Sequence, residues 1–465
     1  MRRFLLLIAA GACLTLLVQI TLKWHTIQGV IFFSLGDHTE AISKFQLAVQ
    51  QNPASLYAQF YLGQSYFEIK DYSQAIDHLR IATMLVPSHH KAQYLLGISL
   101  AGDNQLEPAI TAIKRAIELI PGIPQYHFQL GLLFKDTGAN QKALDAFHSA
   151  AEYGMKNDEL NTNQAYVYLQ LKQPLKAMQY FQSVLEENPG HFFARLEIAR
   201  ILLDEHQYKQ AIHEYQLLVS SMPDDFLAHY ELSKALQGSG QLDDAYHEVE
   251  KARQLNPDYP ELDRRYFSLG IALKKQQKPL TAIKSLTTAI DLTPNVAEYH
   301  YQLGLLYKDA GKPQDAVTAL LQAASLRLDS VDLHFNLAYV YRETDQFSKA
   351  LKEFDRVIVR NPRHRYAHAE LAKIYAIQNR IDDAIQAFQN DIEISPNKFF
   401  SHYDLGLLYK KKHQLMAAKI SLEKAAMLDP EYPHTCEKLQ EIYDAVGITE
   451  TTIPQHIKST CNASK

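Results

Sequence analysis

The side chains that could do chemistry are His89-His90, the carboxylate pairs Asp243-Asp244 and Asp382-Asp383, and the cysteines Cys13, Cys436 and Cys461. A metal needs several converging ligands, and none follows His89-His90 at metal-site spacing, so a solvated loop after Pro87 is the expected setting. Each carboxylate pair opens an apolar helical run, where acidic groups favour the positive end of a helix; a capping role is expected. Three cysteines exclude a disulfide framework and a cysteine-based zinc site, and leave open a pairing of Cys436 with Cys461 in an oxidising compartment. The sequence holds no glycine-rich phosphate loop, HExxH helix or nucleophile elbow. No catalytic, cofactor or metal residue is assigned, and the chain is read as no enzyme. With 47 Lys+Arg against 52 Asp+Glu, it lacks the basic excess that nucleic acid demands.

Two kinds of element must position whatever function remains. The first is Phe4 to Leu22, nineteen uncharged residues between Arg2-Arg3 and Lys23-Trp24. As a helix rising about 1.5 Å per residue, this run matches the hydrocarbon thickness of a bilayer. Residues 1–22 are therefore expected to form one N-terminal transmembrane helix. A cleaved signal peptide is the competing reading, because Ala10-Gly11-Ala12 precedes Cys13; residues 14–22 stay apolar beyond that cut and favour the anchor. Arg2 and Arg3 place the N-terminus in the cytoplasm and the bulk of the chain on the periplasmic side of an inner membrane.

The second element is a repeat of 34 residues. Proline recurs at 53, 87, 121, 189, 223, 257, 294, 362, 396 and 430, with Met155 and Leu328 in the gaps and one step of 37. Alanine fills one slot in all twelve units, from Ala41 and Ala75 to Ala384 and Ala418. A small residue stands twelve positions earlier, as in Gly29, Gly63, Gly131, Ala165, Ser233 and Gly304, with a large one three positions after it, as in Phe32, Tyr66, Phe134, Tyr168, Tyr307, Tyr341, Tyr375 and Tyr409. Such slots predict two antiparallel helices per unit, the small residue permitting close approach, the residue three on filling the gap, and proline stopping the second helix. No unit can bury its apolar face alone, so neighbours must stack. Asp391 departs from the pattern, standing where other units have Ala48, Ala82 or Ala425; buried there, it must reach water or find a donor.

Units such as YAQFYLGQSYFEIKDYSQAIDHLRIATMLVP (57–87) and EYHYQLGLLYKDAGKPQDAVTALLQAASL (298–326) resemble tetratricopeptide repeats (TPR) over about nine tenths of the chain. Where that family often has Trp early in the first helix, this chain has His25, His127, His300 and His334, or Gln59 and Asn161. The resemblance implies an all-α fold, a right-handed α-solenoid of about twelve units over 23–433, followed by a capping helix at 434–447 and a disordered tail at 448–465. A shift of 173 residues lays YHFQLGLLFKDTG (126–138) on YHYQLGLLYKDAG (299–311), so 91–262 and 264–433 read as a duplicated five-unit block.

In this family the first helices line a concave groove. The resemblance places Phe60, Tyr94, Phe128, Tyr230, Phe267, Tyr301, Phe335 and Tyr403 on that face, together with Tyr166, Tyr339 and the pairs Lys135-Asp136 and Lys308-Asp309. Aromatic rings interleaved with charge suit an extended or helical partner segment; the alternative is that the rings fill the narrow inside of the superhelix. The expected function is a membrane-anchored scaffold that binds protein or peptide partners during assembly of a bacterial envelope complex. Alternatives are a docking subunit of a separate enzyme, such as a glycosyltransferase, and a cytosol-facing import or chaperone receptor. Against the last, the asparagine such receptors use beside the small slot is replaced by Val30, Gln64, Ile98 and Leu132.

Overall fold

A computed structural model describes residues 23–448, with Ile453, Gln455 and Ile457 beyond them. The apolar run Phe4 to Leu22 lies outside the described residues, among which no helix is long and apolar enough to cross a membrane. The described elements are helices without a strand, in two compact units divided after Pro223. The first unit holds α1 (23–34), α2 (His38–Gln51), α3 (Leu56–Glu68), α4 (Tyr72–Leu85), α5 (His90–Gly102), α6 (Leu106–Leu119), α7 (Pro124–Asp136), α8 (Asn140–Glu152), α9 (Asp158–Gln170), α10 (Pro174–Glu187), α11 (Phe192–Asp204) and α12 (Tyr208–Ser221). The second holds α13 (Phe226–Gly238), α14 (Leu242–Leu255), α15 (Leu262–Lys275), α16 (Pro279–Leu292), α17 (Ala297–Asp309), α18 (Pro313–Ser325), α19 (Val331–Glu343), α20 (Phe347–Arg360), α21 (Ala367–Ile377), α22 (Ile381–Ile394), α23 (Phe399–Lys411), α24 (Leu415–Leu428) and α25 (Pro433–Ala445). Within each unit consecutive helices pair and stack as an α-solenoid.

Every alanine of the invariant slot is fully buried, and the small residue opposite it is a socket. A Cβ added to Gly131 would lie 2.4 Å from Phe147, and one on Gly304 would lie 2.7 Å from Leu320. The plug is thus the side chain sixteen positions on, carried by the second helix; Phe45, Leu79, Phe147, Phe181, Tyr215, Leu320 and Phe354 are all 0% exposed. This corrects the expectation that the residue three positions after the small one fills the gap. Two of those side chains reach the preceding pair, where the Tyr66 and Tyr409 hydroxyls accept 2.8 Å hydrogen bonds from Gln46 and Gln389.

Each first helix ends in a left-handed residue seven positions after the small one. Glycine serves at 36, 138, 240 and 311, but Lys70, Asn104, Lys172, His206, Gln277, Asp345, Asn379 and His413 adopt the same positive φ. Second helices stop by two routes. Where proline follows, the residue before it is driven out of the helical region, as at Asn52, Val86 and Asn361. Where Met155 and Leu328 replace it, α8 and α18 end early through left-handed Gly154 and Arg327.

In several units the polar residue at the family's Trp slot binds the proline carbonyl in the turn between successive pairs, whereas His229 and His334 bind Glu248 and Glu353 instead. His127 donates to the Pro121 carbonyl at 2.7 Å, His300 to Pro294 at 2.8 Å and His402 to Pro396 at 2.8 Å, while Gln59 and Arg195 reach Pro53 and Pro189 at 2.9 Å. The carbonyl of the turn residue just past each helix cap is thereby satisfied. Replacing His300 with leucine is expected to cost about 1 kcal/mol, read as faster amide exchange at the α16–α17 joint; unchanged exchange would refute the tether.

Asp391 finds its donors. Its carboxylate is 0% exposed and accepts from Lys398 Nζ at 2.7 Å and Ser401 Oγ at 2.6 Å. At the C-terminal end Leu439, Ile442 and Tyr443 of α25 bury the last apolar face. Of the segment expected to be disordered, Ile448, Ile453 and Ile457 pack against that same core. Cys436 is disulfide-bonded; Cys461, its expected partner, lies outside the described residues.

Candidate functional site

The first helices of neighbouring pairs touch one another, α3 with α5, α5 with α7 and α7 with α9 in one unit, and α15 with α17, α17 with α19 and α19 with α21 in the other. They therefore lie on the inner side of each stack, and their inward side chains form its candidate binding face.

The structure divides the predicted residues. Phe60, Phe128 and Tyr230 are buried and hold helices together. Tyr94, Tyr166, Phe267, Tyr301, Phe335, Tyr339, Tyr403, Lys135 and Lys308 are half-buried, and Asp136 and Asp309 are exposed. The filler reading thus applies to those three rings, and the other rings keep part of their surface open. Burial raises the Tyr94, Tyr166, Tyr301 and Tyr403 hydroxyls above their ordinary range, so all four stay neutral donors at physiological pH.

Side chains that sequence reasoning passed over complete the face. Tyr126 stacks on Tyr94 with ring centres 4.5 Å apart, and its hydroxyl meets His90 Nδ1 at 2.8 Å. Tyr299 stacks on Phe267 at 4.6 Å and donates to Asp263 at 3.0 Å. Lys135 donates to the Asn163 side-chain oxygen at 2.7 Å, and Lys308 to that of Asn336 at 2.6 Å. Arg342 covers the Tyr339 ring at 4.5 Å and pairs with Glu370. The 173-residue shift could have flagged Asn163 and Asn336, because it superposes them.

Two clefts open among these elements. One of about 690 Å³ is lined by Phe33, Phe60, Tyr61, Tyr94 and Tyr126. Another of about 680 Å³ is lined by Arg342, Lys373, Asp404, Ile377 and Lys411. Burial lifts the Asp404 carboxyl above the usual carboxylate range, and Lys373 partly opposes that shift.

The residues considered for chemistry have structural roles. His89 Nδ1 caps α5 by accepting from the Ala92 N–H at 3.1 Å, so the expected solvated loop is an engaged cap. Asp243-Asp244 and Asp382-Asp383 lie in the first turns of α14 and α22. Among the described residues no cluster of His, Cys, Asp or Glu could hold a metal ion.

Comparison with known families gives models described as tetratricopeptide repeat. One matches residues 60–124, 128–192, 267–330, 301–347 and 335–397, a second 168–236 and 202–269, and a third 401–432. No curated protein matches the chain. Among solved structures, MamA from Desulfovibrio magneticus RS-1 is 24% identical over 36% of this chain and 94% of its own, with a TM-score of 0.33. YrrB, described as a TPR protein with an unusual peptide-binding site, is 22% identical over 44% of this chain and 100% of its own, with a TM-score of 0.37. The APC/C hetero-tetramer Cut9-Hcn1 is 13% identical over 90% of this chain and 96% of its own, with a TM-score of 0.33.

Proposed function

Because the chain belongs to the tetratricopeptide repeat family, we propose that it is a scaffold that holds a segment of a partner protein along the inner face of its first helices. The observation that carries this reading is a face of half-buried rings interleaved with lysine, left open after the buried rings have done the packing. Rigid aromatic side chains supply contact area at small entropic cost. Tyr166→Ala with Tyr339→Ala is expected to lower partner capture at least tenfold while the helical circular-dichroism signal persists. Capture that survives both changes would remove these rings from the binding face.

We further propose that residues 1–22 anchor the scaffold in a bacterial inner membrane with the repeats on the periplasmic side, serving assembly of an envelope complex. The apolar run Phe4 to Leu22 supports the anchor, and the Cys436 disulfide suits an oxidising compartment. The face of α1 also supports the anchor, with Trp24, Ile27 and Ile31, each more than 50% exposed, following one another at helical spacing directly after that run. Trp24 is the only tryptophan. In vesicles whose acyl chains carry bromine, its fluorescence is expected to be quenched; unchanged emission would contradict the anchor. A reporter active only outside the cytoplasm, fused after residue 447, tests the orientation, and its silence would reverse it.

A further inference from the structure

We infer that the chain carries two equivalent sites, one in each compact unit, which take two copies of the same carboxylate-bearing segment of the partner. This rests on the inner-face reading above and adds the number of sites and the chemistry each recognises.

The internal duplication supplies the first support, because it has kept contacts as well as packing slots. Lys135 and Lys308 are related by the 173-residue shift, and so are the asparagines they bind. Each asparagine is held in turn by donating to a backbone carbonyl one turn earlier, Asn163 to Glu159 at 2.9 Å and Asn336 to Asp332 at 2.8 Å. One pair earlier, the Tyr94–Tyr126 and Phe267–Tyr299 stacks have ring planes inclined by 25° and 26°. The hydroxyl partner of the second ring has meanwhile changed from His90 to Asp263. Thr162 has become Phe335 and Leu169 has become Arg342 under the same shift. The lysine–asparagine pair and the stack thus persist on a face that tolerates substitution around them.

Charge supplies the second support. Lys135 and Lys308 are half-buried, and each ammonium donates to a neutral amide. Among the described residues no carboxylate lies within 4.0 Å of either, and Asp309, the neighbour of Lys308, pairs with Lys274 at 3.3 Å. Arg342, at the same position one pair after Lys308, shows the alternative, since Glu370 answers its charge from within the chain. A partly desolvated ammonium with N–H groups to spare gains a charge-assisted hydrogen bond when a carboxylate arrives. The asparagine fixes the lysine before the ligand comes, and Tyr94 and Phe267, held by the buried Tyr126 and Tyr299 behind them, offer half-open apolar rings to the next residues of the same segment.

The test places p-benzoylphenylalanine at Asp136 or at Asp309, the exposed equivalents beside the two lysines, in the full chain in intact cells, and maps the crosslinked partner peptide. Both positions are expected to capture the same acidic stretch. Lys135→Gln should lower capture at 136 about tenfold and leave 309 unchanged, with Lys308→Gln doing the converse. Asn163→Asp and Asn336→Asp, which provide the counter-charge internally, should act like the glutamine changes while keeping both lysines. Capture of different stretches, capture at one position alone, or indifference to these substitutions would overturn the two-site inference with the inner-face reading intact. Failure to capture at either position would overturn both.

Discussion

Replacing Phe147 with alanine is expected to destabilise the α7–α8 pair by about 4 kcal/mol, as for other large-to-small changes in a packed core. Phe147 is wholly buried and sits where a Cβ on Gly131 would be, so its removal empties a socket that no exposed group can enter. In a stack whose repeats touch only their neighbours, the loss stays local. It should appear as faster amide exchange in α7 and α8, with α2 and α3 unaffected. Gly131→Ala overfills the same socket and should cost roughly 1–3 kcal/mol. Ser233 with its buried partner Val249 shows a combination that fits, so Gly131→Ser joined to Phe147→Val should be milder than the sum of its parts. Additive single effects would mean that the two positions do not share a socket.

Lys398→Met is expected to destabilise α22 and α23 by about 3 kcal/mol, because it leaves the buried Asp391 carboxylate with Ser401 alone. The opposite substitution should be nearly harmless. Asp391→Ala restores the residue found at Ala48, Ala82 and Ala425, and Lys398, whose side chain keeps 21% of its exposure, can turn to water. The double variant should recover most of what Lys398→Met loses. If Asp391→Ala proves as damaging as Lys398→Met by amide exchange across these helices, the pair stabilises the fold outright and is not merely a tolerated buried charge.

These cases show which features a sequence displays. The 34-residue period and the alanine slot are visible because packing limits side-chain size in every copy. The socket's plug escaped notice because it varies among Phe, Leu, Ile, Tyr and Val while doing one job. The left-handed positions escaped it because only four of the twelve are glycine, local hydrogen bonding and the following helix holding the rest in place. The candidate residues all fall on first helices, but their burial could not be sorted from the sequence, since the position after the histidine slot lies at the edge of the core. There one ring is buried, as in Phe128, and its equivalent Tyr301 is left half open. At 155 and 328, where proline is missing, Gly154 and Arg327 end the helices by a different turn that no fixed residue type announces.

Oxidative footprinting of the tyrosines, with and without the captured partner, tests the central claim most directly, because the chain has 27 of them. Binding along the inner face predicts that Tyr94, Tyr166, Tyr301 and Tyr339 lose reactivity while Tyr180 and Tyr246, half-buried on second helices, keep theirs. Protection of Tyr180 and Tyr246, with Tyr166 and Tyr339 unchanged, would contradict it.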